Sequence, residues 1–382
     1  MIDRRGATAQ NWLDAPYNRW GFHHVGELAH TVPISRGYGP ITELPRDERT
    51  FDGFSFHHGG QDYSLQQMLD ATYTDAILVL HRGDVLFERY MEGMQPSDTH
   101  LLMSASKSLT AILCGVLVGR GLLTPGDHVI DHIDELRDTA WEGCTIQQLL
   151  DMRVGVSWDY DIDEYTIIDV SDYRSHSRQD IPSDTAAWIC AITKSHPHGG
   201  PFRYCSLATD VLGWVLESTG SKKFAEMFSD HIWSTIGAEF DAEILLDNSG
   251  FAVVEGGICT TLRDLGRFGQ MCLLDGQVDA NPVVPATWLE RLSVCDQDLI
   301  AAYAGAPEAH AGTPDAFYHD KWWITDAERG IFSASGMNGQ QLLIHKPSQT
   351  VAVKFSTHPN ALDTDLFGLQ DTGLIALCES LL

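Results

Sequence analysis

The distribution of β-rich segments constrains the fold more than any other feature of this 382-residue sequence. Two apolar runs at 76–80 and 85–90 are separated by a short turn, a pattern that predicts a β-hairpin. A second pair of runs, at 340–345 and 350–355, lies near the other end of the chain. Residues 127–245 show several helical patterns and few strand runs. We therefore expect one α/β domain that is built from both ends of the chain and interrupted by an all-helical region.

The domain boundaries follow from the same distribution. Residues 1–65 are rich in glycine, proline and polar residues, so we interpret them as an extended arm packed on the domain. We assign residues 66–126 and 246–382 to the α/β domain and residues 127–245 to the helical region. Within that region, a segment rich in aspartate and tyrosine at 159–173 is interpreted as a loop. An apolar segment at 364–382 predicts a closing helix.

The balance of charge excludes several classes of partner. Lysine and arginine number 25 against 53 aspartates and glutamates, which gives a net charge of −28. Such a surface repels phosphate backbones and anionic lipid, so we expect no nucleic-acid partner and no membrane. The sequence has no apolar stretch of signal-peptide or membrane-span length, and its eight cysteines form no Cys-x-x-Cys pair. These observations predict a cytoplasmic protein with buried thiols rather than disulfides.

The sharpest local signal is Ser104-Ala105-Ser106-Lys107, at the start of a predicted helix over 104–119. A helix brings residues three apart onto one face, which places Lys107 beside Ser104. A serine hydroxyl becomes a good nucleophile when a neighbouring base takes its proton, and an amide at a helix start can stabilise an oxyanion. Taken alone, the pattern also fits a capping serine with an exposed lysine.

Two later segments support the reactive interpretation. Tyr204 precedes a predicted helix over 206–218, where a nearby lysine could lower the pKa of the phenol enough for it to act as a base. The alternative is an ordinary packed tyrosine. The segment 333–340 has small residues just before a β-run, which would let an acyl group approach the strand closely. The alternative there is a simple bend.

The three signals occur in the order found in penicillin-recognising serine hydrolases: Ser-x-x-Lys, then Tyr-x-Ser, then a small-residue strand. The chain resembles the class C β-lactamase-like serine hydrolases and, within them, the 6-aminohexanoate-dimer hydrolases, over nearly its whole length. The segments that carry the resemblance are 18–22, 72–76, 101–109, 204–206 with 209–212, and Trp322-Trp323. The resemblance implies a β-lactamase/transpeptidase-like α+β fold, with an antiparallel sheet flanked by helices and an all-helical insertion.

The resemblance also implies the catalytic roles. Ser104 would be the nucleophile that accepts the acyl group. Lys107 would hold the proton network and depress the pKa of its neighbours. Tyr204 would relay protons, first as general base and then as general acid. The backbone amides of Ser104 and Met337 would form the oxyanion hole.

Five further residues are assigned to substrate binding on the same grounds. Tyr165 is similar to a loop tyrosine that contacts substrate in the 6-aminohexanoate-dimer hydrolases, although the spacing before it differs by an insertion. Trp323 would line the cleft, and Gly336 would let the substrate approach the strand. Asn338 stands where those enzymes have a histidine after the oxyanion position. Glu255 falls near a position that tunes substrate choice, where its carboxylate could bind an ammonium group; the alternative is a surface glutamate before a glycine turn.

Departures from the β-lactamase pattern bear on the substrate. Ala334-Ser335-Gly336 stands where β-lactamases have Lys-Thr-Gly, so the lysine that would pair with a β-lactam carboxylate is missing. Histidines at 57–58 and 196–198 lack further ligands at metal spacing, so no metal is expected. We expect a small linear amide or ester to be cleaved through an acyl-enzyme on Ser104, without a metal or organic cofactor.

Two alternatives remain open at this point. The first is a carboxylesterase without amidase activity, and the second, from another class, is a non-catalytic binding protein on a hydrolase scaffold. The resemblance implies a homodimer, while the sequence itself leaves the oligomeric state open.

Overall fold

The computed structural model describes residues 6–307, 309 and 315–382, and the first five residues of the predicted arm lie outside the described ranges. The strands are β1 (Thr31–Ile34), β2 (Ser55–His58), β3 (Gln61–Ser64), β4 (Thr74–His81), β5 (Asp84–Tyr90), β6 (His100–Leu101), β7 (Ala242–Leu245), β8 (Ile258–Thr260), β9 (Gln277–Val278), β10 (Asn281–Pro282), β11 (Phe317–His319), β12 (Trp322–Asp326), β13 (Ile331–Gly336), β14 (Gln340–His345) and β15 (Thr350–Ser356). The α-helices are α1 (Asn18–Gly21), α2 (Leu65–Ala71), α3 (Ser106–Gly119), α4 (Ile146–Leu150), α5 (Tyr160–Val170), α6 (Thr185–Ala191), α7 (Leu207–Gly220), α8 (Phe224–Phe228), α9 (Leu262–Leu273), α10 (Ala286–Glu290), α11 (Gln297–Tyr303) and α12 (Thr364–Glu379).

The centre of the fold is a seven-stranded antiparallel sheet with the strand order β11-β12-β13-β14-β15-β4-β5. Strand β15 pairs with β4, with Val353 opposite Leu78, so strands from the two ends of the chain meet inside this sheet. The predicted hairpin is confirmed, since β4 pairs with β5, and the second pair of β-rich runs also forms a hairpin, β14 with β15. The expected combination of helices with a large antiparallel sheet is therefore present.

Helices cover both faces of the large sheet because alternate residues of its strands point to opposite sides. Ile77 and Val79 of β4 face a core that includes Leu374 of α12. Leu78 lies between them in sequence and faces the other way, into the main core with Phe268 of α9. The same main core receives the apolar side chains of α3 and α7, so these two helices are fixed against the sheet and against each other.

A second, four-stranded sheet with the order β1-β7-β8-β6 joins the N-terminal arm to the rest of the fold. Strand β7 occupies 242–245, so the prediction that 127–245 is entirely helical is wrong for the last four residues. These residues pair with β1 on one side and β8 on the other, with Ala242 and Ile244 buried and Glu243 turned outward. The arm is also more structured than expected, because it contributes β1 and the hairpin β2–β3.

The segment 159–173 contains helix α5 and is not the predicted loop. Asp159 caps this helix, because its side chain accepts a hydrogen bond from the backbone N–H of Asp161. Ile167 and Val170 are buried on the inner side of the helix. Of the aspartates that suggested a loop, Asp159 is therefore a cap, Asp161 is exposed, and Asp169 is buried and paired with Arg174.

The three predicted helices are confirmed as α3, α7 and α12, with end shifts of up to three residues. In the described part of the chain, no helix is long and apolar enough to cross a membrane.

Gly115 allows α3 to lie against α10, which gives a test of the packing. A Cβ atom at position 115 would lie 2.6 Å from Cγ of the buried Trp288 indole. Overpacking of this kind lowers the free energy of unfolding by about 1 to 3 kcal/mol. Replacing glycine by alanine inside a helix by itself raises that free energy by about 1 kcal/mol. We therefore expect Gly115→Ala to lower the free energy of unfolding, measured by urea denaturation.

Gly53→Ala is the matched control, because no atom lies within 4 Å of a Cβ placed at that position. It should leave stability unchanged. A Gly115→Ala protein as stable as the wild type would contradict the packing of α3 on α10.

Candidate active site

Ser104 lies in a tight 3₁₀ turn, Met103–Ala105, between strand β6 and helix α3. The preceding residue, Met103, has a φ of +48°, a left-handed conformation that costs a non-glycine residue about 1 to 3 kcal/mol. Met103 is held in place because it is buried in an apolar cluster with Leu101 and Tyr173. Strain of this kind persists where the surroundings fix the backbone, and it is common at functional sites.

Lys107 lies on the first turn of α3 and is 1% exposed. Its ammonium group donates hydrogen bonds to Ser104 Oγ at 2.9 Å, to the Glu255 carbonyl oxygen at 2.7 Å and to Glu255 Oε2 at 3.3 Å. All three ammonium donors are therefore used, which offsets the cost of burying the charge. The predicted proximity of Lys107 and Ser104 is confirmed, and the alternative of an exposed lysine beside a capping serine is wrong.

Glu255 is buried in the loop before β8, so the surface alternative is wrong. In addition to its contacts with Lys107, its Oε1 accepts a hydrogen bond from the Tyr173 hydroxyl at 2.9 Å. Its backbone N–H donates to Asp210 Oδ1 at 3.2 Å. Because both carboxylate oxygens are engaged inside the protein, we replace the expected substrate-binding role of Glu255 by that of counter-ion to Lys107.

Asp210 lies behind this pair on α7. Burial, followed by the charge of Glu255, raises the pKa of Asp210 well above its usual range. Its Oδ2 atom is buried without a hydrogen-bond partner in the described structure, which fits a carboxyl group that keeps its proton.

Tyr204 interacts with the Ser104 hydroxyl, and its ring lies 5.2 Å from the Lys107 ammonium. Burial, followed by the charge of Glu164, raises the pKa of Tyr204 well above its usual value. The expectation that the nearby lysine lowers this pKa is therefore wrong. Desolvation and a negative neighbour both disfavour the tyrosinate, and they outweigh the hydrogen bond with Ser104 that favours it.

Trp323 forms the main wall beside Tyr204. The two rings are stacked, with centroids 5.9 Å apart and an angle of 11° between their planes. Tyr160 of α5 meets the Tyr204 ring edge-on at 6.0 Å. Trp323 therefore packs on Tyr204, and its expected role in lining the substrate cleft stays a prediction.

Glu164 is the functional candidate that sequence reasoning missed. It is 1% exposed, and its two carboxylate oxygens accept hydrogen bonds from the Ser206 backbone and hydroxyl, at 2.9 and 2.6 Å. Its neighbour Tyr165, which the resemblance selected, lies on the outer side of α5 and is 45% exposed. A loop interpretation of 159–173 hid the signal, because a loop has no regular periodicity from which the buried and exposed residues could be told apart.

Gly336 brings the end of strand β13 against the Ser104 turn. A Cβ atom at position 336 would lie 2.3 Å from the Leu102 carbonyl oxygen and 3.0 Å from the Ser104 backbone nitrogen. Only glycine permits this approach, which also carries Met337 next to the same turn. The residue before Met337 thus lies against the Ser104 backbone, and the oxyanion hole of Ser104 and Met337 stays a prediction.

Asn338 does not present its side-chain amide to this space. It is buried with a φ of +58°, and its Nδ2 donates to the His358 carbonyl oxygen at 2.7 Å. The backbone N–H of His358 donates to the Asn338 carbonyl oxygen at 3.0 Å. This residue shapes the turn after β13, so the expectation that its side chain binds substrate is not supported.

A second buried lysine, Lys321, was not anticipated. Burial, followed by the charge of Lys107, lowers its pKa to about 7. Its ammonium nitrogen lies 3.2 Å from the thioether sulfur of Met152. Among the described residues no carboxylate pairs with Lys321, and with its pKa at about 7 the ammonium is only partly protonated at neutral pH.

One cluster has the residue types of a metal site, formed by Asp151, His319 and Asp320. Its negative charge is already balanced, because Arg291 Nε lies 2.9 Å from Asp320 Oδ2. His319 Nδ1 also lies 2.8 Å from Asp151 Oδ1. Gln147 donates to both aspartates, at 2.9 and 3.0 Å. These contacts describe an internal ion network that links α4 to the β11–β12 turn.

The contacts of Glu255 predict a stability change. Glu255→Gln leaves the buried Lys107 ammonium without its counter-ion, and breaking a buried ion pair costs about 3 to 5 kcal/mol. We expect the free energy of unfolding, measured by urea denaturation, to fall by this amount. Tyr173→Phe is the control, because it removes only a hydrogen-bond donor to Glu255 and should cost about 1 to 3 kcal/mol. Equal losses in both variants would argue against the counter-ion role.

Comparison with known proteins agrees with this geometry. The family described as Beta-lactamase matches residues 65–370 of the chain. A 6-aminohexanoate-dimer hydrolase from Paenarthrobacter ureafaciens is 33% identical over 385 residues, which cover 98% of this chain and 94% of that protein.

Solved structures give the same result at the level of the fold. A Bacillus anthracis structure, provisionally described as a 6-aminohexanoate-dimer hydrolase, superposes with a TM-score of 0.91 at 27% identity. The superposition covers 100% of this chain and 98% of that chain. A penicillin binding protein from Bacillus halodurans shares the fold, with a TM-score of 0.60 at 16% identity over 83% of this chain and 100% of its own. The chain is therefore a serine hydrolase of the beta-lactamase family.

Proposed function

We propose that this protein cleaves small linear amides or esters, of the 6-aminohexanoate-dimer type, through an acyl-enzyme on Ser104. The observation that carries the proposal is the 2.9 Å hydrogen bond from the buried Lys107 ammonium to Ser104 Oγ, with the Tyr204 ring 5.2 Å from the same ammonium. A serine in this setting has both a stabilising cation and a proton-transfer partner.

Acylation needs a path for the Ser104 proton. Because its pKa is raised, Tyr204 starts as a neutral phenol. Such a phenol can accept the Ser104 proton on its oxygen while it gives its own hydrogen to the leaving nitrogen or oxygen, so no ionised base has to form. Lys107, which donates to Ser104 Oγ, stabilises the negative charge that develops there. The alternative is direct proton transfer to a neutral Lys107.

The carbonyl oxygen of the substrate would bind between the backbone amides of Ser104 and Met337. The close approach of Gly336 to the Ser104 nitrogen supports this assignment. Two amide donors at this position stabilise the tetrahedral oxyanion more strongly than the planar carbonyl. In deacylation, water attacks the acyl carbon, gives a proton to Tyr204 and releases the acid as Ser104 regains its own proton.

The substrate class rests on two observations. The 6-aminohexanoate-dimer hydrolase from Paenarthrobacter ureafaciens aligns with 98% of the chain. The strand that β-lactamases use to hold the β-lactam carboxylate has Ala334-Ser335-Gly336 here, with no lysine. Both observations favour a linear substrate that has no carboxylate beside this strand.

The first test combines labelling and turnover. Intact-mass spectrometry after incubation with a fluorophosphonate should show one adduct on the wild type and none on Ser104→Ala. Hydrolysis of a p-nitrophenyl ester and of linear 6-aminohexanoate dimer should both be lost in the variant. Ester turnover without dimer turnover would identify a carboxylesterase. If the wild type takes no adduct and Ser104→Ala hydrolyses the ester as fast as the wild type, Ser104 is not the nucleophile.

The role of Tyr204 gives a separate prediction. Tyr204→Phe keeps the ring that stacks on Trp323 but removes the hydroxyl, so we expect kcat/KM to fall by about 100- to 10,000-fold with an unchanged thermal unfolding midpoint. Tyr90→Phe is the control, because it removes a hydroxyl that donates to Glu88 on strand β5. Near-normal turnover by Tyr204→Phe would leave direct transfer to Lys107 as the mechanism.

A further inference from the structure

We propose that Glu164 is a positioning residue of this reaction, which holds Tyr204 in place through Ser206 and fixes helix α5 beside the reactive hydroxyls. The inference rests on the proposed function of Ser104 and Tyr204.

The contacts of Glu164 are complete and specific. Oε2 accepts a hydrogen bond from Ser206 Oγ at 2.6 Å, and Oε1 accepts from the Ser206 backbone N–H at 2.9 Å. Oε1 also accepts from Trp158 Nε1 at 3.0 Å. The buried carboxylate thus accepts three hydrogen bonds. Such charge-assisted hydrogen bonds are strong, and together they fix the rotamer of the side chain.

Ser206 is the residue immediately before α7, yet its own side chain does not cap that helix. Instead, Ser206 donates both of its polar hydrogens to Glu164. Glu164 therefore takes the place of a local cap and sets a negative charge at the N-terminus of a 14-residue helix, where the helix dipole favours it.

This arrangement acts on Tyr204 because only one residue separates it from Ser206. The backbone of the Tyr204 segment is held at Ser206 by Glu164, while the ring is held by Tyr160 at 6.0 Å and by Trp323 at 5.9 Å. Tyr160 and Glu164 both belong to α5. One helix thus fixes the tyrosine at two points, through its backbone and through its ring.

The charge of Glu164 also reaches the reactive groups. Burial raises the pKa of Glu164, and the nearby positive charge of Lys107 opposes that rise. In turn, the negative charge of Glu164 helps to raise the pKa of Tyr204. Glu164 therefore keeps Tyr204 in the phenol form that the proposed relay requires.

The experiment measures kcat and KM for a neutral p-nitrophenyl ester in Glu164→Gln, Ser206→Ala and the double variant. The glutamine of Glu164→Gln is neutral and has an amide N–H₂ group in place of one acceptor oxygen, so its contacts with Ser206 lose their charge assistance and Ser206 can no longer donate to both positions. Since a displacement of about 1 Å can cost about 100-fold, we expect kcat of Glu164→Gln to fall by about that factor while KM stays nearly unchanged. The double variant should be no slower than Glu164→Gln alone, because both changes break the same contact.

Two further variants separate positioning from folding. Asp161→Asn removes a carboxylate from the exposed side of the same helix and should keep the wild-type kcat. Glu164→Asp keeps the charge and should recover part of the kcat that Glu164→Gln loses. Thermal unfolding of every variant is recorded, and if Glu164→Gln does not fold, Ser206→Ala and Glu164→Asp carry the test through their own kcat values.

An unchanged kcat in folded Glu164→Gln, or losses that simply add in the double variant, would overturn the inference. That outcome differs from failure of the proposed function, in which the wild type takes no fluorophosphonate adduct or Ser104→Ala retains activity. Labelling at Ser104 together with a fully active Glu164→Gln protein would leave the hydrolase assignment standing and remove only the positioning role.

Discussion

The arrangement of the site depends on one buried positive charge, the ammonium group of Lys107. An ammonium ion inside a protein is stable only if polar partners replace the water that it has lost. Here the partners come from different parts of the chain, since Ser104 precedes the same helix and Glu255 lies in the loop before β8. The Lys107 ammonium therefore has all its hydrogen-bond partners only when α3 and that loop are in place together. Of these partners, the serine hydroxyl is the one that would face the substrate.

The acidic groups around Lys107 differ in what they do. Glu255 pairs directly with the Lys107 ammonium. For Glu164 and Asp210, burial raises the pKa by more than the nearby positive charge and hydrogen bonds lower it. Their shared environment disfavours additional negative charge, which is also why Tyr204 holds its proton. A phenol that remains neutral is useful as a relay, since it can accept and donate a proton in one step. The electrostatics of the site thus follow from burial as much as from the residue types.

The sequence alone was sufficient for the parts of the fold and site that local spacing controls. Residues three apart on a helix are neighbours whatever surrounds them, so Lys107 beside Ser104 could be predicted. The strand pairs at both ends were also visible as short apolar runs separated by turns. What spacing cannot reveal is which side of an element faces inward. Glu255 resembled a surface residue and Glu164 resembled part of a loop, because their burial is decided by packing against segments distant in sequence. Tyr204 illustrates the same limit, since its raised pKa depends on desolvation that only the folded chain provides.

The pairing of β15 with β4 has a consequence for how this protein is made. Strand β4 is nearly continuous in its apolar character and is synthesised long before its partner β15. Contacts between such distant segments slow folding, because a long loop must close before the pairing can stabilise the chain. Strand β5 follows β4 directly and can pair with one side of it, but the other side of β4 stays an open apolar edge until β15 is made, and such edges promote aggregation. The helical region can form its own local contacts in this interval, so the central sheet is completed late, and the reactive serine acquires its final surroundings only when strands β13 to β15 arrive.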